Sequence, residues 1–188
     1  MLALSDAVRS GAIPNAEIVL VVSDKPDAVG LALAQKRELK TAVVERRGLT
    51  RQEHDCKIIS LLREHETDLI CLAGYMRLLS KSFVENYPGR ILNVHPSLLP
   101  SFPGLDAHQQ ALDHGVKWSG CTVHFVDDTL DGGPIIAQRI VPVLDDDSEK
   151  TLSARILEQE HDLYVEAVAL VVSGRYKIVG RRVVGLGQ

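Results

Sequence analysis

The chain has 188 residues, 45% of them hydrophobic and 24% charged, with a formal net charge of −4. That is the balance of a soluble domain large enough to bury a core. The mild negative charge gives no general attraction for nucleic acid or an anionic membrane, and no apolar run nears the roughly 20 residues needed to cross a bilayer.

In chain order, residues 2–10 read as a helix closed by Gly11, and "EIVLVVS" (17–23) as the first clear strand. A helix entered through "SDKPDA" follows, with Pro26 near its first turn. "TAVVE" (41–45) is a weaker strand, residues 51–65 fit a helix, and "DLICLAG" (68–74) reads as a fully buried strand. A short helix near 80–87 leads to the strand "RILNVH" (90–95), a proline-bounded loop and a helix at about 106–114 ended by Gly115. "GCTVHFV" (120–126) and "PIIAQRIVPV" (134–143) are strands whose Gly-rich connection is too short for a crossover helix, so they pair antiparallel. The acidic "DDDSE" suits the start of a long amphipathic helix at 148–172, and "RRVVGLGQ" reads as a last strand. Alternating strands and helices predict one α/β domain over 1–188: a mostly parallel central sheet with helices on both faces and an antiparallel C-terminal strand pair.

No signal peptide is visible. The cysteines Cys56, Cys71 and Cys121 are odd in number and far apart, with Cys71 and Cys121 in apolar runs. Reduced thiols in a cytoplasmic protein are the expectation.

Chemistry concentrates at "ILNVHPSLLP" (91–100). Strand alternation puts Asn93 and His95 on one face at the carboxyl end of a strand, where open α/β sheets bind ligands. An amide can donate to a developing oxyanion and an imidazole titrates near neutrality. A solvated turn is the competing account of the same residues. Asp131, in "LDGGP", is the candidate carboxylate beside that imidazole, its two glycines allowing a sharp turn; a simple tight turn is again the alternative. His124 reads as structural or supporting, with a catalytic role as the alternative, His54 and His65 as surface residues, His161 as packing with a place facing the site as the alternative, and Trp118 as packing. Met76, Leu78 and Leu79 beside Arg77 could line a flat-ring pocket with a charged edge, or be ordinary core. No spacing argues for a metal site, a covalent nucleophile or a Gly-x-Gly-x-x-Gly dinucleotide turn.

Together, "AGYMRLLS", "ILNVHPSLLPSFPG", "CTVHFVDDTLDGGPIIAQ" and "EQEH" resemble the phosphoribosylglycinamide formyltransferases, folate-dependent enzymes of purine synthesis with a Rossmann-like formyltransferase fold. The likeness runs from about residue 2 to 185. It implies transfer of a formyl group from 10-formyltetrahydrofolate, as co-substrate, to the amine of glycinamide ribonucleotide, with no metal and no covalent intermediate. On the matching positions, Asn93, His95 and Asp131 are catalytic. Arg51, Met76, Arg77, Leu78, Leu79, Asn93, Asp127 and Asp128 contact folate, and Glu160 contacts the glycinamide substrate. Expected partners are small molecules only, with neither nucleic acid nor membrane, in a monomer or homodimer. Members of the family begin with a strand and a Gly-Ser-Asn turn that grips the substrate phosphate, and Met1 aligns near the end of that turn. A non-catalytic or weakly active folate-binding remnant is therefore the alternative function. "RRVVGLGQ" is one segment able to fill the strand's place.

Overall fold

The computed structural model describes residues 1–185. Along the chain run α1 (Leu2–Ser10), β1 (Val21–Ser23), α2 (Val29–Gln35), β2 (Thr41–Val43), α3 (Arg51–Glu64), β3 (Ile70–Leu72) and α4 (Lys81–Asn86). Then follow β4 (Ile91–His95), α5 (Ala107–Asp113), β5 (Trp118–Phe125), β6 (Ile135–Pro142), α6 (Glu149–Ser173), β7 (Tyr176–Val179) and β8 (Arg182–Gly185).

Local chemistry sets the helix ends. Thr50 and Glu53 form a capping box at the start of α3, and Ser148 and Thr151 form another at α6. Each satisfies N–H groups the helix cannot bond itself, worth about 1 kcal/mol. Ser80 caps α4 through its hydroxyl, which accepts from the Phe83 N–H at 3.2 Å. Gly11 closes α1 in the left-handed conformation, at φ 79°, where a side chain would be strained. Pro26 lies two residues before the Ala28 cap of α2, in the turn ahead of the helix and not in its first turn.

β1 and β2 form a parallel pair, and the other strands a six-stranded sheet in the order β3-β4-β5-β6-β8-β7. β3–β4 is parallel, while β4–β5, β5–β6 and β7–β8 are antiparallel. The strand expected over 17–23 is laddered only at Val21–Ser23, where β2 supplies partners. The strand expected to be fully buried at 68–74 is shorter and half-buried, because β3 has a bonded neighbour on one side only, β4. β8 is indeed a strand, but it lies between β6 and β7 and not between the β1–β2 pair and the sheet. It cannot fill the central place considered for it. The Leu186 and Gly187 of that segment lie outside the described residues.

Two apolar cores sandwich the sheet. Leu92 belongs to one with Val123, Phe125 and Val141 of the sheet and Leu4, Ile156 and Leu163 of α1 and α6. Its chain neighbour Ile91 belongs to the other, with Ile58, Ile59 and Leu62 of α3 and Phe83 of α4. Consecutive strand residues point to opposite faces, so α6 and α3–α4 cover opposite sides of β4. Each fully buried Leu, Ile or Phe contributes roughly 1.5–3 kcal/mol. Trp118 departs from its packing assignment: it starts β5 and is 59% exposed. Among the described residues no helix is long and apolar enough to cross a membrane.

Candidate active site

β4 delivers Asn93 and His95 to its carboxyl end on the face shared with Ile91. The antiparallel β5 sets His124 directly opposite Asn93 and Thr122 opposite His95. Cross-strand partners share a face, so four polar side chains converge above two strands.

His95 is 5% exposed. Its Nε2 lies 2.8 Å from the Phe102 carbonyl oxygen and its Nδ1 3.5 Å from Asp131 Oδ2. Oxygen acceptors face both ring nitrogens, and only the doubly protonated imidazolium can donate at both. Asp131 is held in turn: its Oδ2 accepts from the Gly104 N–H at 2.8 Å, and its Oδ1 lies 3.8 Å from His124 Nε2. The carboxylate is thus fixed between two imidazoles by a backbone donor from the loop after β4.

The turn that presents Asp131 works by crowding more than by glycine freedom. Asp131 itself takes the left-handed conformation, at φ 47°. A Cβ on Gly132 would stand 2.2 Å from Thr129 Oγ1, and one on Gly133 1.9 Å from the Phe125 carbonyl oxygen. At Gly133 the obstacle is backbone, so only hydrogen fits; at Gly132 the Thr129 side chain would have to move.

His124 is buried, and its Nδ1 donates to the Phe125 carbonyl at 2.8 Å. Desolvation lowers its pKa, outweighing the raising effects of that carbonyl and of Asp131. In the neutral ring Nδ1 then carries the proton and Nε2 is an acceptor, 3.4 Å from Asn93 Nδ2. One amide hydrogen of Asn93 goes to His124, and the other remains for an incoming oxygen. His124 therefore orients the amide, in keeping with its supporting role.

The loop after His95 is anchored by Thr122. Its hydroxyl donates to the Ser97 carbonyl at 2.7 Å and accepts from the Leu99 N–H at 3.0 Å. Thr122 and Gly104 are not singled out by sequence reading. For Thr122 a signal exists, since it lies two before His124 on the same strand face; for Gly104 there is none, because its partner is 27 residues away.

Of the other expected site residues, Glu160 sits half-buried on α6, and burial raises its carboxyl pKa. Burial, followed by the Glu160 charge, pushes the Cys121 thiol of β5 up to about 12. No ion pair involves Glu160 among the described residues. Met76 and Leu78 are exposed at 75% and 52% in the loop after β3, with Leu79 half-buried, so they are not core. Arg77 is half-buried with Nη1 buried and unpartnered. Arg51 is exposed at the start of α3. Asp127 accepts from the Thr129 N–H at 2.9 Å at the start of the loop leading to Asp131, and Asp128 is exposed. None of these hydrogen-bonds to Asn93, His95 or Asp131.

Two histidines contradict expectation. His54 is 1% exposed, drawn inward because its Nε2 donates to the Val44 carbonyl at 2.8 Å and ties α3 to the end of β2. His161, expected to pack, is exposed, because the buried stripe of α6 runs through Ile156, Leu163, Tyr164 and Ala167. His65 is half-buried, with Nδ1 donating to the Leu61 carbonyl at 2.9 Å. Among the described residues no group of three or more His, Cys, Asp or Glu is placed to hold a metal ion.

Comparison with known proteins bears on the whole arrangement. Residues 1–168 match the family described as formyl transferase. The trifunctional purine biosynthetic protein adenosine-3 of Drosophila melanogaster is 45% identical over 92% of this chain, which spans only 13% of that protein's length. The phosphoribosylglycinamide formyltransferase of Escherichia coli K12 is 41% identical over 94% of this chain and 83% of its own length. Among solved structures, glycinamide ribonucleotide transformylase 1 from Symbiobacterium toebii superposes with a TM-score of 0.96 at 46% identity, covering 98% of this chain and 87% of that one.

Proposed function

The chain belongs to the formyl transferase family, and from that premise we propose that it moves a formyl group from 10-formyltetrahydrofolate to the amine of glycinamide ribonucleotide, in purine biosynthesis. The observation that carries the reading is the cluster at the β4 end: an oriented amide on Asn93 beside a His95–Asp131 pair at 3.5 Å. The names of relatives with 41–46% identity supply the acceptor, glycinamide ribonucleotide, and the folate donor is what the motif resemblance implies.

In this reading the substrate amine attacks the formyl carbon and the carbonyl becomes a tetrahedral oxyanion. The free amide hydrogen of Asn93 donates to that oxygen, and the imidazolium of His95 adds positive charge beside it. The C–N bond to folate then breaks as the folate nitrogen takes a proton relayed from His95, while the attacking amine gives one up. The proton released by the attacking amine restores the His95 imidazolium, while Asp131 holds the ring in orientation. His95 Nε2 is bonded to the Phe102 carbonyl, so the loop after β4 must release it as substrate enters.

The residues suit the two substrates. Exposed Met76 and Leu78 offer an apolar face for a flat pterin, with Arg77 and Arg51 as cations for the acidic end of folate. Asp127 and Asp128 begin the loop after β5 that leads to Asp131. Glu160, a carboxylate already partly dehydrated, suits the polar glycinamide group. Three free thiols fit a reducing, cytoplasmic setting for what we take as a single functional domain.

The test is product analysis: incubate the protein with 10-formyltetrahydrofolate, with and without glycinamide ribonucleotide, and follow tetrahydrofolate and formylated product together. Product must depend on the ribonucleotide. Release of free formate independent of it would replace the transferase reading with a hydrolase.

A further inference from the structure

Asp55 is a buried carboxylate that the chemistry above does not use. It lies one turn into α3, four residues after Arg51, and is 1% exposed. Its Oδ2 accepts from the Ser80 backbone N–H at 2.8 Å, at the point where the 73–79 loop ends and α4 begins. The Ser80 hydroxyl is occupied separately in capping α4. The single contact therefore joins the helix that starts with Arg51 to the loop that carries Met76 and Arg77.

The surroundings point the same way. Asp55 Oδ1 is buried without a hydrogen-bond partner, and so are the Tyr75 hydroxyl and Arg77 Nη1 of that loop. Burial and then the Asp55 charge raise the Tyr75 phenol pKa, so the carboxylate lies within electrostatic reach of the loop. The nearest cation-forming group on its own helix is His54, whose Nδ1 is 3.8 Å from Oδ1. A carboxylate is costly to bury and is retained where it holds something in place.

We propose that Asp55 is a positioning residue for the folate side of the reaction, holding the 73–79 loop against α3 so that Arg51 and Met76–Leu79 form one binding face. The proposal rests on the formyl-transfer reading above. Removing the carboxylate frees the loop and leaves Asn93, His95 and Asp131 untouched, so the effect falls on folate capture and not on the chemical step.

The test is steady-state kinetics on the full chain, varying each substrate in turn, for Asp55→Ala and Asp55→Asn. For Asp55→Ala the KM for 10-formyltetrahydrofolate rises about tenfold or more, while kcat and the KM for glycinamide ribonucleotide stay within about threefold. Asp55→Asn keeps an oxygen for the Ser80 N–H and holds the folate KM within about threefold of the parent. Should Asp55→Ala fail to fold, Asp55→Ser replaces it with the same expected result, being polar but too short to reach Ser80. An unchanged folate KM in the shortened variant, or equal changes in both KM values and kcat, overturns the proposal. A parent protein that transfers no formyl group overturns the underlying reading instead, and is seen before any variant is compared.

Discussion

Gly133→Ala isolates the turn that aims Asp131. The added Cβ would stand 1.9 Å from the Phe125 carbonyl oxygen, whereas real Cβ atoms keep at least 3.0 Å. Backbone is on both sides of the contact, so no side chain can rotate away and the turn must move by about 1 Å. Asp131 is two residues upstream, and a shift of that size stretches its 2.8 Å bond from Gly104 past hydrogen-bond range. A misplacement of about 1 Å at a reacting group costs roughly a hundredfold, which is the expected loss in kcat. Overpacking of this kind costs about 1–3 kcal/mol of stability. At about 2–4 °C per kcal/mol for a chain of this size, Tm falls by roughly 2–12 °C. The assay is steady-state kinetics with thermal unfolding, alongside Gly115→Ala, whose Cβ would enter open space at φ 64°. That control carries backbone strain of about 1–2 kcal/mol and keeps parental kcat. Parental kcat in Gly133→Ala would refute the idea that this turn aims the carboxylate. An equal kcat loss in the control would assign the effect to general destabilisation.

His95→Ala lowers kcat by about 10²–10⁴-fold, the range for a lost general acid–base, while a folate analogue still binds within about threefold by calorimetry; near-normal kcat removes His95 from the mechanism. His124 has its folded pKa below 6.5, so between that folded value and 6.5 the unfolded chain binds the extra proton. Its contribution is therefore fully present above pH 6.5 and lost as pH falls toward the folded value. Urea midpoints from about pH 8 to pH 5 should show this acid-side loss, and His124→Gln should lose that component; identical slopes in the two proteins would contradict it. In Tyr164→Phe the hydroxyl that bridges the Leu72 and Leu92 carbonyls, at 2.9 and 3.0 Å, is gone. The expected loss is about 1–3 kcal/mol by denaturant unfolding, and a change near zero would mean that those carbonyls do not depend on it.

The short-range features were legible from residue order alone. The acidic cap of the long helix, the glycines at 11 and 115 and the apolar periods located helices, because each signal acts within a turn or two of the chain. Alternation likewise put Asn93 and His95 on one face, and the short Gly-rich connection required β5 and β6 to be antiparallel. Of the β7–β8 hairpin only the second strand is among the expected elements; Tyr176–Val179, though it holds three strand formers, is too short to stand out and is fixed by pairing with β8.

What only tertiary structure decided depends on partners far along the chain. His124 reaches Asn93 across 31 residues, and Gly104 reaches Asp131 across 27. A polar residue on a helix pattern looks exposed until its partner is known, and that is why His54, bonded to the Val44 carbonyl of another element, is buried against expectation. Trp118 errs the other way, because an aromatic residue buries only where some element covers it. Residue order states which side chains share a strand or helix face; which face meets which, and therefore which charges lose their water, is settled when the sheet and helices close on one another.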